Sequence, residues 1–317
     1  MINWTNQELL ISLDELEDCT ICPRNCHANR LAGKTGYCRS DAGFNVSSIC
    51  NHRGEEPFIS GNNGICNVFF SRCNMQCIYC QNHQISRNDN RAISYKLDLD
   101  RIIEEIAEIL DDGAGALGFV SPSHFIPQVK VIISALKHTG RKPITVFNSN
   151  GYDKAESIRQ LEGLVDVYLP DFKYMDDYLG KIYSDTPDYS IYASKAIREM
   201  YRQKGSTLLI NDEGYAESGL IIRHLVLPGH VENSLEVLRF IADEISTNVH
   251  ISLMSQYHPT INVLNHPKLG RHLMAEEYAI VIAEMEKLGF RKGWIQELKS
   301  ADFYKPDFLN SHPFDSK

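Results

Sequence analysis

The chain has 317 residues, 43% of them hydrophobic, and its 32 basic and 41 acidic side chains leave a formal net charge of −9. That length suffices for one large domain or two ordinary ones with a full apolar core. The acidic balance and the lack of a Lys/Arg block argue against a nucleic acid or an anionic membrane as partner, because both require a positive surface.

Cysteine placement is the unusual feature of this composition. All nine cysteines lie in the first 80 residues, at Cys19, Cys22, Cys26, Cys38, Cys50, Cys66, Cys73, Cys77 and Cys80. The N-terminus has no basic start and no apolar segment typical of a signal peptide, and the chain nowhere offers the roughly 18 apolar residues of a membrane span. We therefore expect the reducing cytoplasm, where clustered cysteines are more often metal ligands or redox groups than disulfides.

Beyond the cysteines the sequence alternates short β-branched runs with amphipathic stretches, a pattern typical of β-α units on a parallel sheet. The predicted strands are 65–70, 116–120, 144–148, 165–169, 220–227 and 250–254. The predicted helices are 102–110, behind a cap at Asp98 or Asp100, and 126–136, 191–201, 234–245 and 275–288. Six strands and five helices predict an α/β fold, an open or partial (β/α)6 TIM-like barrel.

The same pattern divides the chain into three parts. Residues 1–61 read as a loop-rich cysteine module that binds metal, 62–266 as the barrel, and 267–317 as a C-terminal helix and tail that pack on the barrel.

The strongest motif is a C-x3-C-x2-C loop, Cys73, Cys77 and Cys80, directly after the first predicted strand. Three thiolates this close together can hold one [4Fe–4S] cubane and leave its fourth iron without a protein ligand. An open metal position indicates chemistry, whereas a structural site is usually closed. The structural alternative is a zinc site that borrows a fourth ligand such as His83.

This loop resembles the C-x3-C-x-aromatic-C motif of the radical S-adenosylmethionine (SAM) superfamily, with Tyr79 as the aromatic residue. Further landmarks resemble relatives of the pyruvate formate-lyase activating enzyme, in the branch with an extra N-terminal cysteine motif. They are Glu55-Glu56-Pro57, 69–73, Cys80-Gln81-Asn82, 170–173, 223–229 and 253–257. The resemblance implies a partial barrel, a catalytic [4Fe–4S] cluster whose open iron binds SAM, and reductive cleavage of SAM to a 5′-deoxyadenosyl radical that abstracts hydrogen.

The resemblance also places candidate SAM residues at the carboxyl ends of the strands, where barrel loops converge. Activating enzymes carry Gly-Gly-Glu after the second strand to hold the SAM amino group, and here that place has no acidic residue. Ser121, Ser123 or His124 are expected to supply acceptors instead. The simpler interpretation of Ser123 is a helix cap.

Three later strand ends match family motifs as well. The turn with Asn148 and Asn150 resembles a Thr-Asn-Gly-type turn, and Asp171 and Lys173 match an Asp-x-Lys motif. Alternate residues of an extended segment share a face, so the Asp171 carboxylate is expected to accept from the SAM amino group while Lys173 pairs with the SAM carboxylate. His258 resembles a residue near the adenine and the partner peptide. An ordinary turn, a surface ion pair and a loop histidine are the simpler alternatives.

The N-terminal cysteines Cys19, Cys22, Cys26 and Cys38 follow C-x2-C-x3-C-x11-C spacing. Four thiolates can close a tetrahedral zinc site or ligate an auxiliary iron–sulfur cluster, and spacing alone does not choose between them. Four unpaired thiols are the third alternative. No role follows for Cys50, and Cys66 is expected to be a small buried side chain.

The sequence thus predicts a radical SAM enzyme of oxidoreductase type that resembles glycyl-radical-activating enzymes. An exposed reduced cubane predicts anaerobic function, with an electron donor such as flavodoxin or ferredoxin. Activation of a glycyl radical enzyme and modification of another protein, a peptide or a small molecule are both open. An iron–sulfur electron-transfer or metal-binding protein is the non-enzymatic alternative; it explains the cysteines and leaves the polar strand ends unexplained.

Overall fold

The computed structural model describes residues 13–302, 305–310 and 312–314. The first 12 residues of the predicted cysteine module, and residues 303–304, 311 and 315–317 of the predicted tail, therefore lie outside the described residues.

One sheet contains the strands of the described residues. They are β1 (Phe44–His52), β2 (Ile65–Phe70), β3 (Tyr95–Leu97), β4 (Ala116–Val120), β5 (Ile144–Asn148), β6 (Val167–Tyr168), β7 (Leu209–Ile210), β8 (Ala216–Leu225), β9 (His250–Met254) and β10 (Gly293–Ile295). Their spatial order is β10-β9-β8-β6-β5-β4-β2-β1-β3, with β7 paired to β8. The strands from β2 to β10 along this order are parallel.

The helices lie between the strands, as β-α units require. They are α1 (Pro57–Ser60), α2 (His83–Ser86), α3 (Leu99–Asp111), α4 (Ile126–His138), α5 (Ala155–Arg159), α6 (Asp177–Ser184), α7 (Tyr189–Lys204), α8 (Val231–Glu244) and α9 (Ala275–Lys287). The predicted cap of α3 is confirmed at Asp98, whose side chain accepts from the Arg101 amide at 2.9 Å. None of the helices in the described part of the chain is long and apolar enough to cross a membrane.

All six predicted strands are present and are consecutive in the parallel part of the sheet, which confirms the partial (β/α)6 barrel. The strand predicted at 165–169 is shorter, since only Val167–Tyr168 is regular. Its start is limited by Asp166, whose carboxylate accepts from the amide and hydroxyl of Thr145 at 2.8 Å, and Pro170 lacks the amide that would extend it. The strand predicted at 220–227 begins earlier, at Ala216.

Both ends of the sheet differ from the predicted division of the chain. β1, assigned to the cysteine module, pairs antiparallel with β2, so a boundary at residue 61 separates two hydrogen-bonded strands. β10, assigned to the tail, pairs parallel with β9 and places Trp294 opposite Ser252. Neither segment has the alternation of apolar and polar residues that is typical of a strand. They form strands because a neighbouring strand provides backbone hydrogen-bond partners.

Candidate functional site

A cavity of about 440 Å³ lies at the carboxyl ends of the parallel strands. Most of the predicted catalytic-site residues line it: Cys73, Cys77, Cys80, Tyr79, Ser121, Asn148, Asn150, Asp171 and Lys173. The tertiary structure therefore brings the cysteine loop and the predicted SAM residues of three further strand ends to one place.

The cysteine loop is held by its own backbone and by the end of α6. Arg72 has a left-handed backbone, with φ of 68°, and turns the chain out of β2. The amide of Gln76 donates to the carbonyl of Ser184 at 3.1 Å, and the amide of Ile78 donates to that of Tyr183 at 2.8 Å. These bonds fix the loop against an element more than 100 positions further along the chain.

Each of the three loop sulfurs accepts a side-chain hydrogen bond. The donors are Asn150 Nδ2 to Cys73 (3.3 Å), Ser184 Oγ to Cys77 (2.9 Å) and Ser86 Oγ to Cys80 (3.2 Å). Hydrogen bonds to sulfur stabilise thiolates and help to set the potential of an iron–sulfur cluster. The donor set thus fits a cluster held by three cysteines.

Burial acts in the opposite direction on these thiols. It raises the pKa of Cys73 to about 12 and that of Cys77 to about 11, and it also raises the pKa of Cys80. The Lys173 ammonium opposes this rise at Cys77 and Cys80. Within the described residues, no group of three or more His, Cys, Asp and Glu side chains is already spaced to hold a metal ion. The three cysteines therefore fit a cluster because they supply thiol ligands in one cavity with a hydrogen-bond donor to each sulfur. Because burial favours the protonated thiols, metal binding would release protons.

Arg223 lies at the centre of a charged network in the cavity wall. Its Nη1 is 3.1 Å from Glu55 Oε2, and its Nε is 3.1 Å from Asp171 Oδ1 and 3.9 Å from Glu56 Oε1. On the far side of Asp171, Lys173 Nζ approaches Oδ2 to 2.6 Å. Burial alone would raise the pKa of Asp171, but Lys173 and Arg223 hold it below its ordinary value. Asp171 is therefore a carboxylate at neutral pH, poised to accept from an ammonium.

Tyr79 connects the loop to the barrel. Its hydroxyl shares a short hydrogen bond with that of Tyr174, which in turn is 2.8 Å from Ser184 Oγ. Because Ser184 donates to Cys77, the two tyrosines extend the hydrogen-bonded surroundings of that sulfur. The Tyr79 ring lies 6.0 Å from that of Tyr257, at an angle of 54°.

Three of the predicted SAM residues, Ser123, His124 and His258, do not line the cavity, whereas Ser121 does. Ser121 has φ of 51°, and the short helix Pro122–His124 that follows turns Ser123 and His124 into the core. His124 Nε2 lies 3.1 Å from the Ser71 carbonyl, and Ser123 Oγ lies 3.4 Å from Asn150 Oδ1. His258 is half-buried, and its ring lies 5.4 Å from that of His272. Sequence patterns could not reveal the left-handed turn that redirects the first two.

Two acidic residues of the cavity were missed by sequence reasoning as functional groups. Glu55 and Glu56 precede the proline that begins α1, between β1 and β2. Glu55 Oε1 accepts from Asn67 at 3.2 Å and from Asn148 at 3.4 Å. Two adjacent carboxylates before Pro57 were a usable signal, but only the fold shows that they face Arg223, which lies 168 positions after Glu55.

The N-terminal cysteines come together beside the barrel. Cys19, Cys22 and Cys38 are buried and Cys26 is partly exposed. A hydrogen bond from Cys19 lowers the pKa of the Cys26 thiol to about 5, while that of Cys19 rises. Burial raises the pKa of Cys22 to about 12, and Cys38 and Cys26 act on it further. All four sulfurs thus belong to one neighbourhood, apart from the cavity.

The backbone around these cysteines is constrained. Asn25 and His27, on either side of Cys26, have φ of 41° and 52°, and Arg39 has φ of 50° after Cys38. A Cβ added at Gly36 would lie 2.2 Å from Cys26 Sγ. Left-handed non-glycine residues persist only where the surroundings enforce them, and Gly36 leaves room for the sulfur. The four cysteines lie within the described residues, where no group of three or more such side chains is already spaced to hold a metal ion.

The module also contacts the catalytic loop directly. Asn88 Nδ2 donates to the carbonyls of Tyr37 (3.0 Å) and Cys73 (2.9 Å), and Arg24 Nε donates to the Asn74 carbonyl at 2.8 Å. The two cysteine groups are therefore joined by one side chain. Cys50 and Cys66 lie on neighbouring strands and are both buried, Cys66 in the core beneath α3 and α4.

Comparison with known proteins adds a family model and relatives. The model described as the Radical SAM superfamily matches residues 67–241, more than half of the chain. An uncharacterized protein of Methanocaldococcus jannaschii is 28% identical over 295 residues, which cover 90% of this chain and 79% of that protein.

Solved structures give distant matches. A domain of pyruvate-formate lyase-activating enzyme from Bacteroides vulgatus is 16% identical, with a TM-score of 0.42, over 58% of this chain and 100% of that one. SuiB of Streptococcus suis, solved with S-adenosylmethionine bound, is 12% identical, with a TM-score of 0.47, over 73% of this chain and 50% of that one. HydG, a maturase of the [FeFe]-hydrogenase, is 12% identical, with a TM-score of 0.48, over 92% and 68% of the two chains.

Proposed function

The chain belongs to the radical SAM superfamily, and we propose that it cleaves SAM reductively in the 440 Å³ cavity and abstracts a hydrogen atom from a second molecule bound there. One observation carries this proposal. The three sulfurs of the cysteine loop and the Asp171–Lys173 pair line the same cavity, although they come from different strand ends. The non-enzymatic alternative loses support, because the superfamily is one of enzymes and the polar strand ends converge on the sulfurs.

The residues of this chain would divide the work as follows. Cys73, Cys77 and Cys80 would hold the cluster, and the donors on each sulfur would tune it. Asp171 and Lys173 present opposite charges 2.6 Å apart and would hold the amino and carboxylate groups of SAM. When bound, the cluster supplies an electron, taken from an external low-potential donor, that splits SAM into methionine and a 5′-deoxyadenosyl radical able to take hydrogen from substrate.

The partners remain proposals of the same kind. Flavodoxin or ferredoxin would supply the electron. The substrate would be a glycyl radical enzyme, another protein, a peptide or a small molecule. The reducing cytoplasm is proposed from the clustered cysteines, and anaerobic operation from the oxygen sensitivity of a reduced cubane. Support for the glycyl-radical subtype comes from the sequence landmarks alone.

The N-terminal cysteines would form a second metal site. An auxiliary cluster would lie one side chain, Asn88, from the catalytic loop and would relay electrons or touch substrate. Zinc would instead stabilise the fold of the module. Iron, sulfide and zinc analysis of a chain that lacks Cys73, Cys77 and Cys80 separates the two, since only the N-terminal site remains in it.

The enzyme proposal is tested by anaerobic reconstitution with iron and sulfide, reduction with dithionite in the presence of SAM, and chromatography of the products. We expect methionine and 5′-deoxyadenosine in equal amounts, and their loss in Cys73→Ala. The matched control is Cys66→Ala, which removes a buried thiol from the apolar core and keeps both products. A preparation with its cluster loaded that forms no 5′-deoxyadenosine would refute the proposal.

A further inference from the structure

The two ends of the cavity differ in their charged groups. At one end, the charges that act on the sulfurs of Cys77 and Cys80 are Lys173 and Asp171. At the other end, the charges that act on Glu56 are Arg223 and Glu55. Consecutive ion pairs link these groups: Lys173 pairs with Asp171, Asp171 with Arg223, and Arg223 with Glu56. Asp171 and Arg223 therefore stand between Lys173, which acts on the loop sulfurs, and Glu56.

Glu56 has a buried carboxyl group: burial raises its pKa, and Arg223 and a hydrogen bond from Ser252 oppose this rise. Its side chain is 7% exposed, it lines the cavity, and its Oε2 has no hydrogen-bond partner in the structure. Its nearest cation, Arg223, is 3.9 Å away and is shared with two carboxylates that lie closer, Glu55 and Asp171 at 3.1 Å. A buried carboxylate oxygen with no partner is costly, so a ligand that pairs with it gains the full interaction.

The charge count and the surroundings point the same way. Three carboxyl groups share two cations in the network, and Glu56 lies farthest from its cation, so a cationic ligand at Glu56 would complete the pairing. Arg72, another cation of the lining, directly precedes Cys73 and so belongs to the sulfur end. The indole of Trp294 lines the cavity beside Ser252, which gives this end an aromatic ring of the kind that attracts cations. An anionic substrate would find no unshared cation here.

We propose that the substrate is a small molecule or peptide with an ammonium or guanidinium group, and that Glu56 binds this group at the end of the cavity away from the cysteine loop. The inference rests on the proposed radical SAM activity, and it adds the chemical class of the substrate. Glu56 touches substrate and takes no part in holding SAM.

The test uses the reconstituted full chain and a deproteinised extract of cells that produce this protein, divided on a cation-exchange resin at pH 7. Each pool is added to the enzyme with SAM and dithionite, and 5′-deoxyadenosine is measured relative to the same enzyme without extract. We expect the bound, cationic pool to raise this ratio, and deuterium from a labelled cationic pool to appear in 5′-deoxyadenosine. Stimulation by the unbound pool, or by neither pool, overturns the proposal.

Variants locate the effect at Glu56. We expect Glu56→Gln to lower the response to the cationic pool, measured as kcat/KM, by roughly tenfold to a hundredfold, with partial recovery in Glu56→Asp, which keeps the carboxylate. Glu217→Gln, an exposed carboxylate on β8, is the control and keeps the response. An unchanged response in Glu56→Gln, or a raised KM for SAM in that variant, refutes the assignment. Absence of any 5′-deoxyadenosine from the wild type would instead refute the enzymatic proposal itself.

Discussion

Gly36 allows a sharp test of the N-terminal cysteine site. Its backbone does not need the left-handed conformation, so the absence of a side chain there is a matter of space. In Gly36→Ala the new Cβ would lie 2.2 Å from Cys26 Sγ and 2.7 Å from Cys26 Cβ. Ordinary contact between such atoms needs about 3.5–4.0 Å, so the sulfur or the loop must move by more than about 1 Å.

That displacement exceeds what a metal site tolerates. Metal–ligand distances hold to within about 0.2 Å, so we expect Cys26 to leave the site and the metal to be bound by three thiolates or lost. The overpacking itself should cost about 1–3 kcal/mol of unfolding free energy. The barrel should remain folded, because most residues of its apolar clusters lie on strands and helices beyond residue 61.

The assay is metal and sulfide content in the background that lacks Cys73, Cys77 and Cys80, with cobalt substitution to count thiolate ligands if the metal is zinc. Gly33→Ala is the matched control in the same loop. It has φ of 73° but no atom within 4 Å of an added Cβ, so it should cost about 1–2 kcal/mol and keep its metal. Full four-thiolate binding in Gly36→Ala would refute the assignment of Cys26 as a ligand.

Two further predictions concern the barrel. Ser184→Ala removes the donor 2.9 Å from Cys77 Sγ. Since hydrogen bonds to sulfur favour the more negative reduced cluster, the reduction potential of the cluster should fall in a titration followed by electron paramagnetic resonance. Ser194→Ala, which changes a buried serine on α7, should leave the potential unchanged, and an unchanged potential in Ser184→Ala would contradict the argument. Burial raises the pKa of Asp153 from 3.8 to about 6, so the folded chain binds that proton more tightly than the unfolded chain and loses stability as pH rises from about 4 to 6. Asp153→Asn should flatten this decline and add at most about 3 kcal/mol to the free energy of unfolding at pH 7. Chemical denaturation at pH 4 and pH 7 measures this, and a decline that persists in the variant would contradict the reasoning.

Local patterns explain how much of the fold could be predicted. Apolar runs of β-branched residues and helical spacing behind Asp98 are decided by neighbours a few positions away, and they predicted all six central strands. β1 and β10 could not be read in this way, because Asn45, Ser47 and Ser48 interrupt the apolar pattern of β1 and β10 has only three residues. Their pairing depends on a strand edge that exists only after the barrel has formed.

The same division runs through the site. By itself the sequence determined the cysteine loop, the Asp171–Lys173 pair and the four N-terminal cysteines, since each is a set of chemical groups at short, fixed spacing. Only the tertiary structure decided that Ser123 and His124 turn into the core and that Glu55 and Glu56 face Arg223, a residue from a distant part of the chain. The reason is physical: spacing fixes which side chains share a face, whereas strand order and loop conformation fix which faces meet.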